Sequence, residues 1–183
     1  MSAKFHEIGE SHRTFIEQQK LFFVATAAPG CRVNLSPKGG DSFRVIDPNK
    51  VVWMNLTGSG NETAAQLAVD PRMTVMFCSF DTSPLILRLY GEARIYHARD
   101  AAWERWIGLF PAHVGTRQII EMDVDLVQTS CGFAVPRYEY LGHRPTLDKW
   151  SDKQGPEGIR AYWKEKNMQS LDGLPTRILP ETE

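Results

Sequence analysis

Cysteine is scarce in this chain and scattered. Cys31, Cys78 and Cys131 stand far apart, with no CxxC and no Cys/His spacing. That pattern excludes a disulfide framework and structural zinc, and it fits a reducing, cytoplasmic setting. Long apolar runs are missing as well. No segment reaches the length of a transmembrane helix, and the first residues, MSAKFHEIGESHR, lack the apolar stretch of a signal peptide. A cytoplasmic protein with no membrane partner is expected. Charge is nearly balanced: a net −1 over 183 residues removes any general pull toward nucleic acid.

Catalytic templates are also absent. His6, His12, His97, His113 and His143 show no HxxxH or HExxH spacing, so no metal is expected. There is no GxSxG elbow, no P-loop and no GxGxxG run. Cys131 has no identifiable base, and Asp123 with Asp125 reads as a solvated strand face rather than an acid–base pair. No catalytic residue can be assigned. If the chain is an enzyme, a cofactor supplies its reactive centre.

What is present is a globular composition, 42% hydrophobic and 23% charged, at a length suited to one core. With no repeat or long linker, residues 1–183 read as a single domain: an N-terminal helix over 1–20, a barrel with inserted helices over 21–135, and a helical extension over 136–183. Phe5, Ile8, Phe15 and Ile16 recur at helical spacing. LFFVATA and RVNLS form a predicted hairpin through Ala28-Pro29-Gly30, and FRVI turns at Asp47-Pro48-Asn49 into VVWMNL. TAAQLAV is a predicted short helix with Thr63 and Gln66 spaced as a capping box. RMTVMFCSF is the next strand. In LILRLYGEARIY, Leu87, Leu89, Gly91, Ala93 and Ile95 alternate with Arg88, Tyr90, Glu92, Arg94 and Tyr96. DAAWERWIGLF is helical, QIIEMDVDLVQTS is a long strand, and two short helices fall near 146–153 and 156–167. Short strands at hairpin spacing with inserted helices predict a mostly β chain with flanking helices, an antiparallel barrel rather than a doubly wound sheet.

Two stretches suit an anionic ligand. Ser36-Pro37-Lys38-Gly39 offers a hydroxyl, main-chain N–H groups and an ammonium at an expected strand end. Thr57-Gly58-Ser59-Gly60-Asn61 runs into the helix at 63, where unpaired N–H groups suit a phosphate. Each alone also reads as an ordinary turn or capped helix; their place at successive strand ends lets them converge. A third stretch, Ser130 to Pro136 followed by Tyr138 and Tyr140, reads as a subunit-interface or core-capping loop, or as a cover for a flat ring. Trp103 and Trp106 share a helix face and are expected in a core or interface.

The ordered string VNLSPKGG, NLTGSGNET, PRMTVMFCSFD and GEARIY resembles the pyridoxamine 5'-phosphate oxidase-like flavoproteins, over roughly residues 20–100. The resemblance implies an FMN-binding split β-barrel and a homodimer with FMN near the subunit interface. It assigns Leu35, Ser36 and Lys38, with the adjoining Asn34 and Pro37, to the flavin cradle, and Leu56 and Thr57 to the next flavin-contacting strand end. Ser59, Asn61 and Thr63 would contribute to the phosphate site. Glu62 and Thr63 fall where the vitamin B6 oxidases carry a basic pair, and Val33 stands in place of an arginine. The implied function is therefore FMN binding outside the true B6 oxidases: an oxidoreductase of unassigned substrate, with hydride transfer at the flavin. The alternatives are a dimeric barrel that holds FMN, a deazaflavin or haem without catalysis, and one that has lost its ligand and persists as an interaction module.

Overall fold

The computed structural model describes residues 2–180. Its elements are β1 (Ala3–Phe5), α1 (Glu10–Gln18), β2 (Leu21–Thr26), β3 (Asn34–Gly39), β4 (Phe43–Asp47), β5 (Lys50–Leu56), α2 (Glu62–Leu67), β6 (Arg72–Cys78), β7 (Ile86–Tyr96), α3 (Trp103–Ile107), β8 (Thr116–Ser130) and α4 (Thr146–Lys166). The strands form one antiparallel sheet in the order β3-β2-β6-β7-β8-β5-β4, with β1 added to β8, and the sheet curls into a half-barrel with flanking helices. The predicted mostly β, antiparallel architecture is what the chain adopts.

The longest strand is β8, paired with β5 on one side and β7 on the other. Its residues Arg117–Met122 are all buried, because both faces are covered. Period-two alternation sorts the side chains. Trp53, Ile120 and Met122 point into the main core with Phe22, Val24, Phe77, Leu87 and Leu89. Val52, Met54 and Ile119 point outward, under Trp103, Trp106 and Phe110 of α3 and the segment after it. Trp106 Nε1 donates to Glu121 Oε2 at 2.9 Å, and Lys50 Nζ donates to the other oxygen at 2.7 Å, so the polar groups under this helix are satisfied.

β7 keeps the alternation read from its sequence, with one irregularity. Its register against β8 shifts between Tyr90 and Gly91. A Cβ at Gly91 would lie 1.9 Å from the Asp123 carbonyl oxygen, so only glycine admits this approach of the two backbones.

Three local expectations are corrected. Phe5 belongs to β1 on the edge of β8, not to the N-terminal helix, which begins at Glu10 and buries Phe15 and Ile16. Ser36-Pro37-Lys38-Gly39 is not a strand-ending elbow but lies inside β3, where Pro37 pairs with Phe23. This is tolerated because β3 is the edge of the sheet, where a missing N–H breaks no further ladder. The Thr63/Gln66 capping box does not form: α2 has no side-chain cap, and both residues bond elsewhere. The two expected C-terminal helices do form, consecutively, and meet at a kink where Gly155 has φ 64° and Pro156 follows.

Candidate functional site

The two glycine-bearing stretches do converge. Along β3, every second side chain (Asn34, Ser36, Lys38) faces a cavity of about 270 Å³. Its opposite wall is Asn55 and Leu56 at the end of β5, then Gly58 to Gly60, then Asn61, Glu62 and Thr63 at the start of α2, with Arg117 of β8 as floor. An adjoining cavity of about 190 Å³ shares Lys38, Asn55, Leu56 and Gly58 and adds Pro37, Thr57, Trp53 and Leu147.

Of the residues expected at a cofactor site, Asn34, Ser36, Lys38, Leu56, Ser59, Asn61 and Thr63 are brought together here. Pro37 and Thr57 reach the adjoining cavity. Leu35 does not join them: it sits on the outward face of β3, 63% exposed. Thr57 is buried behind the loop, where its hydroxyl donates to Gly115 O at 2.8 Å and accepts from Trp163 Nε1 at 2.9 Å. The stretch from Ser130 to Tyr140 lies apart from this cavity. Phe133 is 81% exposed, and Tyr138 packs on Phe80 with ring centroids 5.5 Å apart. Larger concavities of about 510 and 540 Å³ lie over the β2/β6/β7 face and between α1 and β4, and neither holds an unpaired buried cation.

Electrostatics distinguish the smaller site. Arg117 is buried, and its bonds go to neutral acceptors: Nη1 donates to Gly60 O and to Asn167 Oδ1, both at 2.9 Å, and Nη2 reaches Asn55 Oδ1 at 3.5 Å. Its Nε has no partner, and neither side-chain atom of the buried Asn61 has one. Burial pushes the Arg117 guanidinium down to about 10. Burial, with the charge of Arg117 adding to it, pulls the Lys38 ammonium down to about 8; its recorded contact is the Trp53 ring, 5.5 Å from Nζ to centroid. Two cations thus face one cavity without a bonded carboxylate among the described residues.

Glu62, which lines the same wall, is bonded to neither of them. Its two carboxylate oxygens accept the Leu171 N–H at 3.0 and 3.1 Å. Arg72, at the start of β6, pairs with Asp70. Thr63 and Asn34 hold the wall in place: Asn34 Nδ2 donates to Thr63 Oγ1 at 3.0 Å and to Thr26 Oγ1 at 3.1 Å. Thr26 in turn donates to Gln66. The helix α2, of six residues, is too short to count as an anion site by its own dipole. Positive charge at the cavity comes from Lys38 and Arg117.

Arg117 escaped the sequence reading. It precedes the apolar Ile119-Ile120 at the head of β8 and looks like an ordinary polar strand entrance. Only pairing with β5 and cover from α4 bury it.

A family model described as pyridoxamine 5'-phosphate oxidase matches residues 8–131. The chain belongs to this family. The pyridoxamine 5'-phosphate oxidase family protein ustO of Aspergillus flavus is 35% identical over 189 residues, covering 93% of this chain and 76% of its own length. Among solved structures, HupZ of Group A Streptococcus is 21% identical over 65% of this chain and 91% of its own, with a TM-score of 0.51. A provisionally assigned pyridoxamine 5'-phosphate oxidase of Lactobacillus delbrueckii is 13% identical over 67% of this chain and 94% of its own, with a TM-score of 0.52. These two share the split-barrel fold with the chain. The family model ends before α4, so the helix and the tail that touch the site lie beyond it.

Proposed function

We propose that the chain is an FMN-binding flavoprotein, with the FMN phosphate held against Arg117 and Asn61 and the flavin's electron-rich side toward Lys38. The observation that carries this reading is the buried Arg117 with neutral partners only, next to an Asn61 side chain with no partner at all. Burying a cation without a counter-charge costs several kcal/mol, and unpaired buried amide groups cost about 1–3 kcal/mol each. A phosphate removes both costs: it is anionic and accepts from guanidinium and amide donors. The residues present therefore fit the group.

When bound, FMN would supply a hydride-accepting centre at N5. The chain's own part is placement and charge. Lys38 and Arg117 attract the anion, Ser36, Ser59 and Asn61 offer donors, and Leu56, Trp53 and Leu147 furnish apolar wall. The titratable groups that line the cavities are Lys38, Glu62 and Arg117. An oxidoreductase working by hydride transfer suits such a lining.

A homodimer completes the proposal. Val33 and Leu35, 75% and 63% exposed, stand on the outward side of the edge segment that bears the site, and apolar side chains so placed suit cover by a second copy. No helix among the described residues is long and apolar enough to cross a membrane.

The test is a titration of the purified protein with FMN and with riboflavin, which lacks the phosphate. FMN should bind at least about tenfold more tightly, the equivalent of ~1.4 kcal/mol. Absence of a visible flavin band together with no FMN binding refutes the reading. A saturable shift of the haem Soret band on titration with haem, without FMN binding, would establish the planar-anion carrier instead.

A further inference from the structure

The C-terminal tail reaches the site from behind, and its contacts are specific. Asn167 is fully buried and spends both ends of its side-chain amide on the cavity wall: Oδ1 accepts from Arg117 Nη1 at 2.9 Å, and Nδ2 donates to Gly58 O at 3.1 Å. Its own backbone is fixed, with its N–H donating to Trp163 O and its C=O accepting from Thr176 Oγ1. Trp163 pins Thr57, Leu171 N–H holds the Glu62 carboxylate, and Asp172 bonds the main chain and guanidinium of Arg32, just before β3. One segment, Trp163 to Thr176, thereby ties together the 57–62 loop, the buried arginine and the approach to β3.

We propose that Asn167 is the positioning residue that holds Arg117 toward an anionic phosphate, so that the C-terminal tail is part of the binding site rather than an appendage to the barrel. The inference rests on the FMN reading above. Without Asn167 the guanidinium keeps one close acceptor, Gly60 O, since Asn55 Oδ1 is 3.5 Å away. The chemistry of the partner matters as much as its place. A neutral amide fixes the guanidinium and leaves its charge available; an aspartate would fix it equally and cancel that charge. The same tail fixes the one carboxylate lining the cavity, by giving Glu62 a backbone donor. The placement of the arginine is thus set from outside the barrel, while the positive charge is that of Lys38 and Arg117.

The experiment compares FMN and riboflavin affinities in wild type, Asn167→Asp and Asn167→Ser at low salt. Riboflavin lacks the phosphate, so the ratio of the two affinities reports the phosphate contacts, those of Arg117 and of the 58–61 loop together; both variants lose the Asn167 amide donor to Gly58 O, so the difference between them isolates the charge set against Arg117. Asn167→Asp should lower FMN affinity tenfold or more while riboflavin affinity stays within about twofold. Asn167→Ser removes the arginine's acceptor without adding charge and should lower the ratio by a smaller factor. If the aspartate variant does not fold, Asn167→Ser decides through Arg117→Met: an FMN-selective loss that disappears when the serine change is made in the Arg117→Met background supports the proposal, and one that persists there overturns it. Equal losses for both flavins would overturn the proposal and leave Asn167 as a prop for the loop; unchanged affinities would overturn it as well. A wild type that binds neither flavin, or both equally, would instead bring down the phosphate reading on which this rests.

Discussion

Replacing Lys38 by methionine should make the ligand-free protein more stable and a poorer FMN binder. The ammonium is held away from water beside Arg117, and its pKa falls from 10.5 to about 8. At ~1.36 kcal/mol for each pK unit, that fall corresponds to roughly 3 kcal/mol of native-state cost carried by the charged form. The side chain is only partly covered, so solvent screening reduces the expected gain to ~1–2 kcal/mol. Methionine keeps the apolar stem against Trp53 and removes the charge. The pH dependence follows. Between about pH 8 and 10.5 the unfolded lysine is protonated and the native one is not, so the unfolded state binds more protons and wild-type stability rises with pH. Below about pH 8 the cost is present in full. Urea denaturation of both proteins near neutral pH and near pH 10 reads this directly. The advantage of Lys38→Met should be largest near neutrality and shrink toward pH 10. FMN affinity should meanwhile drop about ten- to a hundredfold, because a charge-assisted contact of ~1.5–3 kcal/mol is lost. A variant less stable than wild type at neutral pH, or one with the same pH trend, would refute the argument that this lysine sits uncompensated for the sake of a ligand.

Three further outcomes are expected. Glu62→Gln retains an acceptor for Leu171 N–H and removes the carboxylate from the cavity wall; FMN should bind a few-fold tighter at low salt, with the gain lost at about 1 M, where the Debye length is ~3 Å, and a salt-independent gain would exclude an electrostatic cause. Gly91→Ala forces a Cβ onto the Asp123 carbonyl and should lower stability by at least ~1–3 kcal/mol; a calorimetric Tm equal to wild type would show that β7 and β8 can separate there at no cost. Sedimentation at micromolar concentration should show a two-chain species, and a species of 20.7 kDa alone would exclude the homodimer.

The half of the site that lies on β3 was legible from sequence because strands have period two. Asn34, Ser36 and Lys38 had to share a face once the run was extended, whether Ser36-Pro37-Lys38-Gly39 ended a strand, as expected, or lay inside an edge strand, as found. The loop from Thr57 to Asn61 was legible for a related reason: a glycine-rich link between a strand and a helix lies at a strand end, and neighbouring strand ends meet. What could not be read were features made by long-range contact. A basic residue at a strand entrance is normally solvated, and nothing local to Thr116-Arg117-Gln118 says that β5 and α4 will close over it. Asn167 is further still, fifty residues from Arg117 along the chain. Glu62 shows the same limit from the opposite side. Beside a loop expected to hold a phosphate its charge calls for a partner, and nothing local supplies one. The structure answers with a main-chain N–H from the tail. On the proposed reading, the lack of arginine and lysine at positions 62 and 63 leaves Lys38 and Arg117 to hold a phosphate, and Asn167 is the neutral partner that would fix Arg117 without cancelling its charge.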